Sequence, residues 1–180
     1  MSEKKALAFL NRGQHEHNDK DDFRTPPYLW WWLNREFGPI EYDGACTPGL
    51  NNLADPLRLE DDWPPAAVVY SNPPFDAPSI EKWFEKGEEH ASLRRGVHIM
   101  LLPDKLCQVF MSRMIPSFTQ IIFLGGRVNF ISPYAVSGGA SMSGSIITIQ
   151  GNPKSLRYME GVRAVLLRDI KKEYGEHGNP

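Results

Sequence analysis

Apolar residues fall along this chain in two rhythms. The runs "AVVYS", "GVHIMLLP", "QIIFLGG" and "IITIQ" are near-continuous and rich in β-branched residues, which predicts strands buried on both faces. Between them the apolar positions recur at helical spacing. In "TPPYLWWWLNREFG", Trp30, Leu33 and Phe37 share one face, and in "APSIEKWFEKGEEHASL" Ile80, Trp83 and Phe84 do the same. "KLCQVFMSRMI" predicts a third helix, and a basic C-terminal helix is expected from about Lys154. "IEYDGAC" reads as a short strand ending near Asp43. For the first helix, Thr25 has the chemistry of an N-cap, Pro26 suits the first turn, and Gly38 stands where a left-handed C-terminal residue belongs.

Strands alternating with helices predict an α/β domain built on one largely parallel sheet. Such sheets bind ligands outside the carboxyl ends of their strands, and both Asp43 and the run "VVYSNPPFD" fall at such ends. Two prolines cannot donate to a sheet ladder, so the chain must leave the sheet at Pro73. Trp31 and Trp32 cannot both face the way Trp30 does, which leaves one for a second packing layer, a partner or a ligand.

Composition narrows the class. With 180 residues, 41% hydrophobic and 23% charged, the chain suits one globular unit. No apolar run reaches bilayer length, and "MSEKKALAFLNRG" is too polar for a secretory leader, so a cytoplasmic protein with no membrane contact is expected. Cys46 and Cys107 match no disulfide framework or zinc spacing, and His15 and His17 lack companion ligands, so no metal is expected. A net charge of −2 argues against binding nucleic acid by bulk electrostatics and leaves room for a local basic patch. Its candidates are scattered: Arg94, Arg95, Lys105, Arg113, Arg127 and a C-terminal series that includes Arg163 and Lys171. His98, inside "VHIML", reads as a core histidine and not a base.

The chemistry of Asn72, Pro73, Pro74 and Phe75 suits a planar amine. The Asn72 side-chain oxygen and the Pro73 carbonyl are both acceptors and can together take both hydrogens of an exocyclic amino group. That arrangement pulls the nitrogen toward sp³ character and aims its lone pair. The Phe75 ring offers a stacking surface for the heterocycle, and the prolines lower the entropy cost of the geometry. A neutral amine needs no strong base, because it becomes acidic only after attack. The natural electrophile is the methyl group of S-adenosylmethionine.

These four residues match the (D/N/S)PP(Y/F) motif of amino-group methyltransferases, and the wider string resembles the phage and prophage Dam-like DNA N6-adenine methyltransferases. The resemblance rests on Thr25 and Pro26; Leu33, Asn34, Glu36, Phe37 and Gly38; Asp43 and Ala45; Asp61 and Trp63; and Gly126, Arg127 and Phe130, over about residues 22 to 150. It implies a compact, Rossmann-like class I methyltransferase fold with a single mixed, mostly parallel sheet flanked by helices. It also implies S-adenosylmethionine as cofactor, double-stranded DNA as partner, and an adenine extruded from the duplex. By position, Asn72, Pro73, Pro74 and Phe75 would be catalytic. Thr25, Pro26, Asp43, Ala45, Asp61, Asp62 and Asn72 would contact the cofactor, and Arg127 and Lys105 the DNA.

Departures from the family pattern lie in "YDGACTPG", which only echoes a glycine-rich turn, and in the short stretch from Asp43 to Asn72, which has little room for the usual second and third strands. The expected organisation is a flexible polar segment over 1–22, one methyltransferase domain over 23–175 and a tail over 176–180, as monomer or homodimer. The loop "SGGASMSGS" is expected to be flexible and to approach a nucleic-acid backbone. Two other readings stand beside this one: an amino-methyltransferase acting on RNA or protein glutamine, and a catalytically silent binding module with the same fold.

Overall fold

The computed structural model describes residues 23–45, 54–105, 112–131, 144–152 and 161–175. His15, His17, Cys46, Cys107, residues 137–143 of the glycine- and serine-rich loop, and the 1–22 and 176–180 segments lie outside them. Seven strands are described: β1 (Tyr42–Asp43), β2 (Asp55–Pro56), β3 (Val68–Ser71), β4 (Val97–Pro103), β5 (Gln120–Gly125), β6 (Ser145–Gln150) and β7 (Gly161–Leu166). Three α-helices lie wholly within the described residues: α1 (Pro27–Phe37), α2 (Ala77–Arg94) and α3 (Leu167–Tyr174), while most of the helix expected over "KLCQVFMSRMI" lies outside them.

All seven strands join one mixed sheet in the order β2-β1-β3-β4-β6-β5-β7. β1 pairs in parallel with β2 and β3, β3 with β4, and β5 with β7, while β6 runs antiparallel between β4 and β5. The architecture is therefore the α/β, class I methyltransferase-like fold expected from the alternation, with one reversed strand inside it. Because β6 is reversed against both neighbours, β5 points the same way as β4. The carboxyl ends of β1, β3, β4 and β5 consequently share one edge of the sheet.

The period-2 alternation of β4 feeds two cores. Val97, Ile99 and Leu101 pack with Leu29, Trp30 and Leu33 of α1 and with Leu167 and Ile170 of α3. Met100 and Leu102 face the other way, onto Ile80, Trp83 and Phe84 of α2 and onto Trp63. The apolar faces read from helical spacing are thus the buried ones. α2 is capped by Asp76, whose Oδ1 accepts the Ser79 N–H at 2.9 Å, and it ends at Arg95 in the left-handed conformation.

Several local expectations are corrected. Thr25 is not the cap of α1: Pro26 occupies that position with no side-chain bond, and the Thr25 hydroxyl is engaged elsewhere. Gly38 is not left-handed, having φ −80°. Glycine is required there by proximity, since a Cβ would overlap the Asn34 carbonyl. The C-terminal basic region is not one helix from about Lys154, because Gly161–Leu166 form edge strand β7 and the helix starts at Leu167. Trp32 is the second packing layer, buried against Phe37 with the Arg163 guanidinium 5.5 Å from its ring, whereas Trp31 is 39% exposed.

Candidate active site

Strand β3 ends at Ser71, and the two prolines that follow turn the chain off the sheet and into α2. Below the turn the strand end is fixed by a polar chain. Gln150 Nε2 donates to the Phe84 carbonyl at 3.2 Å, so its Oε1 is left to accept from His98 Nδ1 at 3.1 Å. His98 Nε2 is then the acceptor for the Ser71 hydroxyl at 2.7 Å. Burial pushes the His98 pKa down to about 3, so the ring is neutral and structural, in keeping with its reading as a core residue.

Asn72 is the next residue. Its Nδ2 donates to the Phe23 carbonyl at 3.0 Å, and since a carbonyl can only accept, this contact fixes which way the amide points. Asn72 Oδ1 is shielded from solvent and has no hydrogen-bond partner among the described residues. A buried acceptor left open costs free energy on the order of 1–3 kcal/mol, so such a group calls for an explanation. Beyond it Pro73 is buried and Phe75 is 39% exposed, with its ring 6.1 Å from that of Phe130 in an edge-on contact.

Other predicted residues gather at this edge. Thr25 Oγ1 and the Tyr70 hydroxyl share a 2.5 Å hydrogen bond in the interior, next to the end of β3. Burial raises the Tyr70 pKa; the bond to Thr25 opposes that shift, and the nearby Asp43 carboxylate adds to it. Asp43 ends β1, largely buried, and Gly44 N donates to the Tyr70 carbonyl at 2.7 Å. Ala45 is half-buried just beyond, and Pro26 is buried beside Thr25. Lys105 follows β4 and Arg127 follows β5; both are exposed and neither has an ion-pair partner among the described residues.

Asp62 is not brought to this edge, whereas Asp61 lies in the turn that follows the carboxyl end of β2, a strand parallel to β1. Asp61 Oδ2 closes a turn by accepting from Arg58 N at 2.7 Å. Asp62 forms an ion pair with Arg94, the last residue of α2, at the edge where β3 begins. Trp63 fixes that placement, its ring 5.3 Å from His90 and 5.1 Å from His98. Sequence reading passed over Asp55, an exposed carboxylate on β2 whose neighbour in the sheet is Tyr42, and over Phe23. Asp55 was legible only as a loop residue, since β2 is two residues long.

Among the described residues, the edge thus combines an open acceptor, a half-exposed aromatic ring and cations with no ion-pair partner. A model of the DNA N-6-adenine-methyltransferase (Dam) family matches residues 12–175, most of the chain. The chain belongs to this family. No curated protein matches it. Methylation of the N6 amine of adenine in DNA is the activity of the Dam family. Among the described residues of this Dam-family chain, no helix is long and apolar enough to cross a membrane and no cluster of His, Cys, Asp and Glu could hold a metal ion.

Proposed function

We propose that this chain transfers the methyl group of S-adenosylmethionine to the N6 amine of an adenine extruded from duplex DNA, and that Asn72, Pro73, Pro74 and Phe75 carry the transfer. The single observation behind this reading is the Asn72 amide, oriented by the Phe23 carbonyl so that a solvent-shielded oxygen is left open. An amine has the two hydrogens such a site lacks, and the Pro73 carbonyl is the second acceptor. The same open oxygen, at one edge with the buried Asp43, suits a cofactor and an amine meeting there.

S-adenosylmethionine supplies an electrophilic methyl on a positively charged sulfur. The chain's own residues do the rest. Asn72 Oδ1 and the Pro73 carbonyl accept the two amine hydrogens, so the nitrogen lone pair is localised and aimed. Phe75 stacks on the purine and holds it out of the duplex. As the N–C bond forms and the S–C bond breaks, the amine becomes an ammonium and releases a proton to solvent. No side chain has to act as a strong base, so positioning supplies most of the rate.

Thr25, Pro26, Asp43, Ala45 and Asn72 are proposed to contact the cofactor. Asp61, in the turn after β2, is proposed to approach the cofactor with them, whereas Asp62, paired with Arg94 at the other edge, has no part in this proposal. Lys105 and Arg127 are proposed to meet phosphates, with residues 23–175 acting as one methyltransferase domain. A phage or prophage origin is proposed from the resemblance of the motifs, and a cytoplasmic site of action from the lack of any apolar run of bilayer length in the sequence. Incubation with S-adenosylmethionine tests the reading: S-adenosylhomocysteine should appear with duplex DNA and not with RNA or protein. Release with RNA or protein instead would move the activity to another amine, and none at all would leave a silent binding module.

A further inference from the structure

Phe23 is tied to the NPPF turn directly by its carbonyl and through Phe130 by its ring. Its carbonyl accepts Asn72 Nδ2 at 3.0 Å, and its ring lies 6.2 Å from that of Phe130, tilted by 52°. Phe130 in turn meets the Phe75 ring edge-on at 6.1 Å. The middle ring is buried at 6% exposure, while Phe23 and Phe75 are 38% and 39% exposed. Phe23 is held in place by its neighbour. Arg24 and Ile131 exchange both backbone hydrogen bonds, at 2.8 and 3.0 Å, in an isolated antiparallel bridge.

Two half-exposed phenyl rings therefore pack on one buried ring, and the Asn72 amide joins the backbone of the first to the turn that carries the second. A planar base has two faces. Phe75 can cover one, and the other would remain in water unless a second apolar surface met it. We propose that Phe23 is that surface: its ring packs on the adenine that Phe75 stacks against, and its carbonyl holds the Asn72 amide in the accepting orientation. This inference rests on the adenine reading of the site and extends it to a residue outside the NPPF motif.

Ring and carbonyl can be separated, because every side-chain substitution keeps the carbonyl. The full chain carrying Phe23→Ala, Phe23→Leu or Phe23→Tyr is compared with wild type for S-adenosylmethionine affinity by calorimetry and for KM and kcat on duplex DNA. Leu fills the space of the ring without a π face. The Ala and Leu variants should each raise KM for DNA about tenfold, and Tyr should stay within about twofold of wild type. Cofactor affinity should be unchanged in all three. A Leu variant with wild-type KM would make Phe23 a packing residue and overturn the inference, as would a wild-type KM in the Ala variant. Phe75→Ala, run in parallel, separates the two failures. If it raises KM while the Phe23 variants do not, only this inference falls; if it too leaves KM unchanged, the base-holding reading falls with it.

Discussion

The two ends of strand β3 carry polar residues of similar sequence prominence and treat them in opposite ways. On the approach, Asp62 is spent on the Arg94 guanidinium, and the Trp63 indole donates to the Arg58 carbonyl at 2.8 Å. On the exit, among the described residues, Asn72 keeps one buried oxygen without a partner, Phe75 is half-exposed, and Lys105 and Arg127 have no ion-pair partner. The charged groups of the approach are engaged by one another, whereas the exit sets an open acceptor beside a half-exposed ring and cations. Under the proposed mechanism, in which positioning supplies most of the rate, unsatisfied groups held in fixed places are the informative ones.

The sharpest way to break this contrast is Asn72→Ala. Removing an acceptor that acts on the reacting nitrogen should lower methyl transfer by at least about 100-fold, while the loss of its cofactor contact should weaken S-adenosylmethionine binding by no more than about tenfold. Single-turnover methylation with parallel calorimetry checks both halves. Phe75→Ala should cost about one to two orders of magnitude in kcat/KM, and Phe75→Tyr should be tolerated. A mismatch opposite the target adenine should partly restore Phe75→Ala, because extrusion then costs less, and should leave Asn72→Ala inactive.

The carboxylates offer a direct opposition. Asp43→Ala, at the exit edge, should weaken cofactor binding about tenfold or more, as expected for a lost charge-assisted hydrogen bond. Asp62→Ala should leave cofactor affinity unchanged and shift stability by no more than about 1 kcal/mol, since its ion pair is largely solvent-exposed. Equal losses of affinity in the two variants would erase the distinction between the edges. The smallest effect concerns the cations. Arg127→Gln should reduce the dependence of log binding constant on log salt by about one, and Arg94→Gln, whose side chain is already paired, should leave that slope unchanged.

Much of the fold was legible because long-range contacts here amplify local pattern. The apolar runs became β3 through β6, and the faces of α1 and α2 marked by Trp30, Leu33, Ile80 and Trp83 are those that pack on the sheet. What escaped is governed by tertiary partners. β7 alternates between exposed and half-buried positions at the sheet's edge, so "GVRAVL" lacks the continuous apolar signature and its basic surroundings read as helix. Thr25 has the composition of a cap, but a buried phenol 45 residues away takes its hydroxyl. The NPPF turn was visible because prolines after a strand have few explanations. Phe23 was not, because its connection to Asn72 runs through a backbone carbonyl that sequence cannot express.

The central claim is that Asn72 Oδ1 is held open for an exocyclic amine, and a binding cycle tests it most directly. Duplexes carrying adenine, or purine without the amine, at the methylated position are titrated into wild type and Asn72→Ala. The ease of extruding purine is common to both proteins and cancels. The predicted result is a wild-type preference for adenine that exceeds that of the variant by about fivefold or more, the value of about one hydrogen bond. The same preference in both proteins would show that Asn72 does not read the amine, and would contradict the assignment of the open acceptor.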